Sequence, residues 1–291
     1  MGLDDSAVGI PDPGSLPIVV VAVRHREGVE CAAADVVVDA NDEHLDEILA
    51  TIDRHPIAST SLAILLRGIG SLSVERALAA ESAVYSMLQS GPEFAAWRAN
   101  RPAHEPAPSD ERPAVTADRV GDDLRIALDR PHRHNAFDRS MRDGLTEMLA
   151  LAISDPSIAR VIVSGRGPSF CSGGDLDEFG SFDDPATAHR ARLTRSPARL
   201  LHRLAERTTV HLHGNCMGAG IELPAFAGHV IAAPDAVISL PELRLGLIPG
   251  AGGTVSIPRR IGRQLTAYLA LSQARISGRT AHQWGLVDEL E

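Results

Sequence analysis

Two patterns of apolar and polar positions meet in this 291-residue chain, one on each side of a proline-rich stretch. Before it, LPIVVVAV (16–23) and ADVVVDA (34–40) are short β-branched runs that predict strands. DEHLDEILATIDRH (42–55) and SVERALAAESAVYSMLQSGPEFAAWRANR (73–101) have helical spacing. In the second, Ala77, Leu78, Glu81, Val84, Tyr85 and Leu88 recur near the 3.6 period. This part supplies striped helices with no obvious core of their own. After the stretch, strands alternate with helices. DLRIALDR (123–130), ARVIVSGRG (159–167) and TTVHLHG (208–214) predict strands, and HVIAAPDAVISLPE (229–242) predicts two more. SMRDGLTEMLALAISD (140–155) and SPARLLHRLAER (196–207) predict helices, and AGIELPAFAG (219–228) a helix start. This rhythm implies an α/β fold with functional loops at strand ends. The intervening ANRPAHEPAPSDERPAVTAD (99–118) reads as a linker, centred on 103–114. It divides a strand-plus-helix segment, 1–102, from a core, 115–291.

Composition removes several function classes. A formal charge of −10 and 3% aromatic residues argue against nucleic-acid and anionic-membrane partners. All 28 basic residues are arginine, so neither a Schiff-base lysine nor a P-loop lysine is available. Any phosphate must be held by arginine, histidine or backbone N–H groups. Three scattered cysteines, Cys31, Cys171 and Cys216, without a C-x-x-C pair read as reduced thiols of a cytoplasmic protein. The N-terminus has no signal-peptide pattern, and no apolar run approaches a membrane span.

The candidate chemistry lies in two small-residue turns and two acids. FCSGGDL (170–176) and GNCMGAGIEL (214–223) each follow a strand and free backbone N–H groups. Glu222 sits inside the second turn segment, and Glu242 opens LPELRLGLIPGAGGT (240–254). One such turn alone would be read as a tight turn, and either acid alone as a helix-end or solvated carboxylate. Together they supply what addition of water to a conjugated thioester needs: donors for the developing enolate oxygen, a base and an acid. Two close carboxylates ionise unequally, so one residue type can fill both proton roles.

These motifs, with DRPHRHNAFDRSM (129–141), resemble the crotonase, or enoyl-CoA hydratase/isomerase, superfamily from about Asp118 onward. The resemblance implies a crotonase-like ββα superhelix core, with helical cover contributed by the N-terminal segment. It implies oxyanion N–H groups on Gly174 and Ala219, and catalytic acids at Glu222 and Glu242, with Glu242 protonating Cα and Glu222 activating water. Arg133, Asn135, Ala136, Ser172, Gly173, Asp175, Leu176 and Gly250 would border the acyl-CoA. Coenzyme A is part of the substrate, so no separate cofactor and no metal are implied. A homotrimer or dimer of trimers is the implied assembly. Hydration of a 2-enoyl-CoA is the leading activity. Double-bond isomerisation or another crotonase-type lyase or hydrolase reaction is the alternative, and a non-catalytic assembly subunit a further one.

The pairs His132/His134 and His211/His213 lack a completing ligand set, and no G-x-S-x-G or dinucleotide-binding turn is present. Family members usually continue past a GLVDEL position with helices that complete the site, and here that position closes the sequence. Residues 35–68 and 77–102 resemble those helices, which implies a circular permutation.

Overall fold

The computed structural model describes residues 16–24, 31–101, 112–179 and 184–291. Most of the 103–114 linker therefore lies outside the described residues. The N-terminal segment forms two short parallel strands, β1 (Val21–Arg24) and β2 (Val36–Asp39). Helices α1 (Leu45–Arg54), α2 (Pro56–Ile69), α3 (Val74–Gln89) and α4 (Pro92–Ala99) follow. The 73–101 helical stretch is thus two helices. Pro92 cannot continue a hydrogen-bonded turn and pushes Gly91 into extended backbone (φ −86°, ψ 164°), so one helix ends and the next begins there.

In the core, β3 (Val115–Val120) pairs antiparallel with β4 (Asp123–Leu128), taking up the end of the stretch read as linker. Helix α5 (Arg139–Ser154) then leads to β5 (Arg160–Gly165), and α6 (Pro185–Thr194) and α7 (Pro197–Arg203) to β6 (Thr208–Leu212). Next come β7 (Asn215–Met217), the one-turn α8 (Ala219–Glu222), β8 (His229–Ala232) and β9 (Val237–Ser239). Helix α9 (Gly253–Ser272), β10 (Ile276–Ser277), α10 (Gly278–Trp284) and β11 (Glu289–Leu290) complete the described chain. None of its helices is long and apolar enough to cross a membrane.

The strands sort into the two walls of a spiral. One sheet has the order β11-β8-β6-β5-β4-β3, parallel except for β3, and a second has the order β10-β9-β7. Two successive turns place a strand in the first sheet and the next strand in the second: β6 then β7, β8 then β9. The corner between β6 and β7 is Gly214, at φ 55°, where a Cβ would stand 2.0 Å from the Pro168 carbonyl oxygen. Only glycine fits both demands. This is the ββα superhelix that the motifs imply.

The N-terminal helices share their apolar surface with this core. Ala58, Leu62, Leu65, Leu66 and Ile69 line the buried face of α2, and α2 packs on α9. Val36, Leu62, Leu88, Phe94, Leu145, Ile221 and Leu269 belong to one continuous buried cluster. At about 1.5–3 kcal/mol for each fully buried aliphatic side chain, this shared surface joins the two parts strongly. Polar contacts follow it. Gln264 donates to the Cys31 and Ala34 carbonyls at 2.9 and 3.0 Å, and buried Gln273 donates to Thr51 Oγ1 at 3.0 Å.

Candidate active site

Two backbone bridges align the small-residue turns. Cys171 pairs with Cys216, the Cys171 N–H donating to the Asn215 carbonyl at 3.1 Å and the Met217 N–H to the Cys171 carbonyl at 3.0 Å. Gly174 and Ala219 each lie three residues beyond this paired position. Gly174 itself bridges Phe137: the Phe137 N–H donates to the Gly173 carbonyl at 2.8 Å and the Asp175 N–H to the Phe137 carbonyl at 3.0 Å. The Gly174 N–H is left facing away from this pairing. Among the described residues no acceptor takes the N–H of Gly174 or of Ala219, and both residues border one cavity of about 420 Å³.

Glu222 and Glu242 open onto the same cavity, although both are nearly inaccessible (2% and 9% exposed). A Cβ on Gly218 would lie 2.3 Å from Glu242 Oε1 and 3.7 Å from Glu222 Oε1, so the two acids converge beside this one bare residue. Gly218 also has φ 49°. Its lack of a side chain is required twice over, by backbone conformation and by the approach of an acid. Glu222 Oε2 accepts from the N–H groups of Ala251 and Gly253, at 2.7 and 2.8 Å. Among the described residues, buried Glu242 Oε2 has no hydrogen-bond partner.

A third acid, which the motifs did not reveal, stands behind these two. Glu81 of α3 is 2% exposed and lines the cavity. Its Oε1 accepts from the Gly252 N–H at 2.8 Å, and its Oε2 from the Thr254 N–H at 3.0 Å and the Thr254 hydroxyl at 2.7 Å. Burial raises all three carboxyls above the ordinary range, and mutual repulsion adds to the effect at Glu81 and Glu242. Hydrogen bonds from the 251–254 turn oppose the shift at Glu81 and Glu222. Glu242, with a buried oxygen that no described residue partners and Glu222's charge nearby, is raised well above that range. The sequence did carry a signal for Glu81: it is a charge on a stripe that includes Ala77, Tyr85 and Leu88, which are buried.

The N-terminal segment forms much of the cavity wall. Glu75, Leu78, Glu81, Ser82, Tyr85 and Gln89 of α3 all border it, at spacings of three and four. A Cβ on Gly250 would meet the Tyr85 ring at 2.3 Å, and one on Gly246 would meet Glu93 at 2.6 Å. These two glycines of the Glu242 segment therefore make room for α3 and α4. Trp97 of α4 packs against Phe179, whose ring covers Gly174.

The remaining sequence-derived residues divide. Asp175 and Gly250 border the cavity, whereas Arg133, Asn135, Ala136, Ser172, Gly173 and Leu176 do not. The Arg133 guanidinium is held by Asp175 at 3.1 Å and Asp177 at 2.5 Å. Asn135 is fully buried; its Oδ1 accepts from the Arg130 N–H, and its Nδ2 donates to the Arg166 and Ser169 carbonyls. Its side chain braces the loops beneath the first turn. The Ser172 N–H donates to the His134 carbonyl at 3.0 Å, and Gly173, at φ 95°, makes the turn itself. The arginines that border the cavity are Arg139, Arg142, Arg192, Arg195 and Arg199. Arg192 lies on α6, Arg195 in the loop into α7 and Arg199 on α7. Among the described residues, no cluster of His, Cys, Asp or Glu could hold a metal.

A family profile described as enoyl-CoA hydratase/isomerase matches residues 124–291. The chain is 34% identical over 167 residues to 2,3-dehydroadipyl-CoA hydratase of Escherichia coli K12, covering 57% of this chain and 65% of the relative. It is 33% identical over 169 residues to 1,2-epoxyphenylacetyl-CoA isomerase of the same organism, covering 56% and 64%. The chain thus spans just under two thirds of the length of these curated relatives. Among solved structures, enoyl-CoA hydratase from Thermoplasma volcanium GSS1 is similar, with a TM-score of 0.56 and 34% identity over 62% of this chain and 73% of that one. A Thermobifida fusca YX relative in complex with acetoacetyl-CoA has a TM-score of 0.55 and 26% identity over 61% and 73%. With the profile spanning both turns and both acids of the cavity, this chain belongs to the enoyl-CoA hydratase/isomerase family.

Proposed function

We propose that the protein hydrates a 2-enoyl-CoA thioester to the 3-hydroxyacyl-CoA. The observation that carries this is the convergence of Glu222 and Glu242 at Gly218, in a cavity bordered by the N–H groups of Gly174 and Ala219. The thioester oxygen accepts from those two N–H groups and gains negative charge as the enolate forms. Glu222, steadied as a carboxylate by two amides, takes a proton from water, and the oxygen of that water bonds to Cβ. Glu242, whose carboxyl burial and Glu222's charge hold well above the ordinary range, gives its proton to Cα. One acid has gained a proton and the other has lost one, so a proton transfer between them or through solvent resets the site. With no lysine, the coenzyme A phosphates fall to the arginines that border the cavity, which Arg133 does not. The Thermobifida fusca YX relative solved in complex with acetoacetyl-CoA supports this substrate class.

The test is a panel of 2-enoyl-CoA thioesters followed by loss of the conjugated absorbance, with product analysis. Formation of the 3-hydroxyacyl-CoA is the expected result. A 3-enoyl-CoA product with no incorporation of solvent oxygen would replace hydration by double-bond isomerisation, and loss of free coenzyme A from the thioester would mean hydrolysis.

A further inference from the structure

The turn Gly250–Thr254 is held by two carboxylates in strict alternation. Ala251 and Gly253 donate to Glu222, while Gly252 and Thr254 donate to Glu81. Four consecutive N–H groups thus point alternately to two acids from opposite parts of the chain. Peptide planes in a turn are linked through shared Cα atoms, so fixing the 252 and 254 planes restricts the 251 and 253 planes as well. Gly252 has φ 109°, and its missing side chain leaves room for Phe226, so the turn has few other conformations to occupy.

We propose that Glu81 is a positioning residue of this site: carried by α3, it sets the two amides that orient Glu222 toward Glu242. The proposal rests on the hydratase reading for its kinetic consequence alone; its structural consequence stands without it. Glu81 borders the cavity and its charge also acts on Glu242, but its hydrogen bonds go to Gly252 and Thr254, so its geometric effect on Glu222 runs through the amides of Ala251 and Gly253. A Gln at 81 keeps one acceptor and turns an NH₂ toward an N–H, so at least one plane is released.

The experiment compares the full chain with its Glu81→Gln and Thr254→Val variants. In Glu81→Gln the kcat for hydration should fall about 10²-fold, the scale of a misplacement of roughly an ångström. KM should stay within about threefold, because the N–H groups of Gly174 and Ala219 and the cavity arginines are unchanged. Amide hydrogen exchange, read by residue-resolved NMR, should quicken at Ala251 and Gly253 as well as at Gly252 and Thr254. Thr254→Val removes one hydroxyl donor and should move the same readouts in the same direction by a smaller factor. It carries the test if Glu81→Gln fails to fold. A lowered Tm with unchanged kcat, or faster exchange confined to Gly252 and Thr254, would make Glu81 a helix cap only and overturn the proposal. If wild-type protein hydrates no thioester, the hydratase reading fails, and the exchange at Ala251 and Gly253 alone decides the role of Glu81.

Discussion

Glu242 shows how one residue links burial, protonation and chemistry. An unfolded glutamate ionises near pH 4.3, whereas in the fold its pKa is raised well above that by burial and by Glu222. Above the unfolded value the folded state therefore binds more protons than the unfolded chain. Stability falls as pH rises through that window, until the folded pKa is passed. Glu242→Gln removes this titration. The variant should gain in Tm over wild type as pH is raised from about 5 to about 8, with the two closest at the acid end. Parallel Tm-against-pH curves would refute this account of Glu242. The same substitution, and Glu222→Gln, should each lower kcat by about 10²–10⁴-fold, the range for losing a general acid or base. Wild-type turnover in either variant would remove that residue from the mechanism.

At the scale of elements, glycines mark where helices from distant sequence press on the cavity loops. Gly250 faces the Tyr85 ring of α3, with 2.3 Å between the ring and the position of a Cβ. Because Tyr85 is buried and stacked under the Arg192 guanidinium, 4.8 Å from its ring centre, the ring cannot easily move aside. Gly250→Ala should destabilise the protein by about 1–3 kcal/mol, as overpacking does. Adding Tyr85→Leu should recover part of that loss, with a coupling of about 0.5–3 kcal/mol in a double-mutant cycle. Strict additivity of the two changes would mean that the loop and the helix do not meet as described.

For the whole molecule, we propose that residues 1–102 are the family's closing helices placed before the core. Glu81 and Tyr85 at the cavity, and Phe94 against Gly246, all come from this segment. Removing it would uncover the α9 surface that α1 and α2 cover and take away three donors' worth of acceptor at the 251–254 turn. Residues 115–291 expressed alone should be insoluble or inactive. A soluble fragment with full activity would show the first hundred residues to be an independent module.

The sequence by itself determined the local elements and the chemical parts. The strands at 123–128, 160–165 and 208–212 and the helix at 139–154 follow from periodicity, since side-chain spacing along one element records which face is buried. The two turns and the acids Glu222 and Glu242 were legible because small residues and carboxylates occur together at short range. The tertiary structure decided what depends on contact between remote positions. Arg133 read as a phosphate ligand, yet Asp175 and Asp177, some forty residues on, engage it. Asn135 read as a substrate neighbour, yet it ties its own loop to the one after β5. Glu81 read as one member of a helical stripe, and only packing of α3 on the 251–254 turn turned it toward the cavity. Hydrophobic spacing fixes which side of a helix is buried, but not which partner it meets, because that depends on how the whole chain closes around its core.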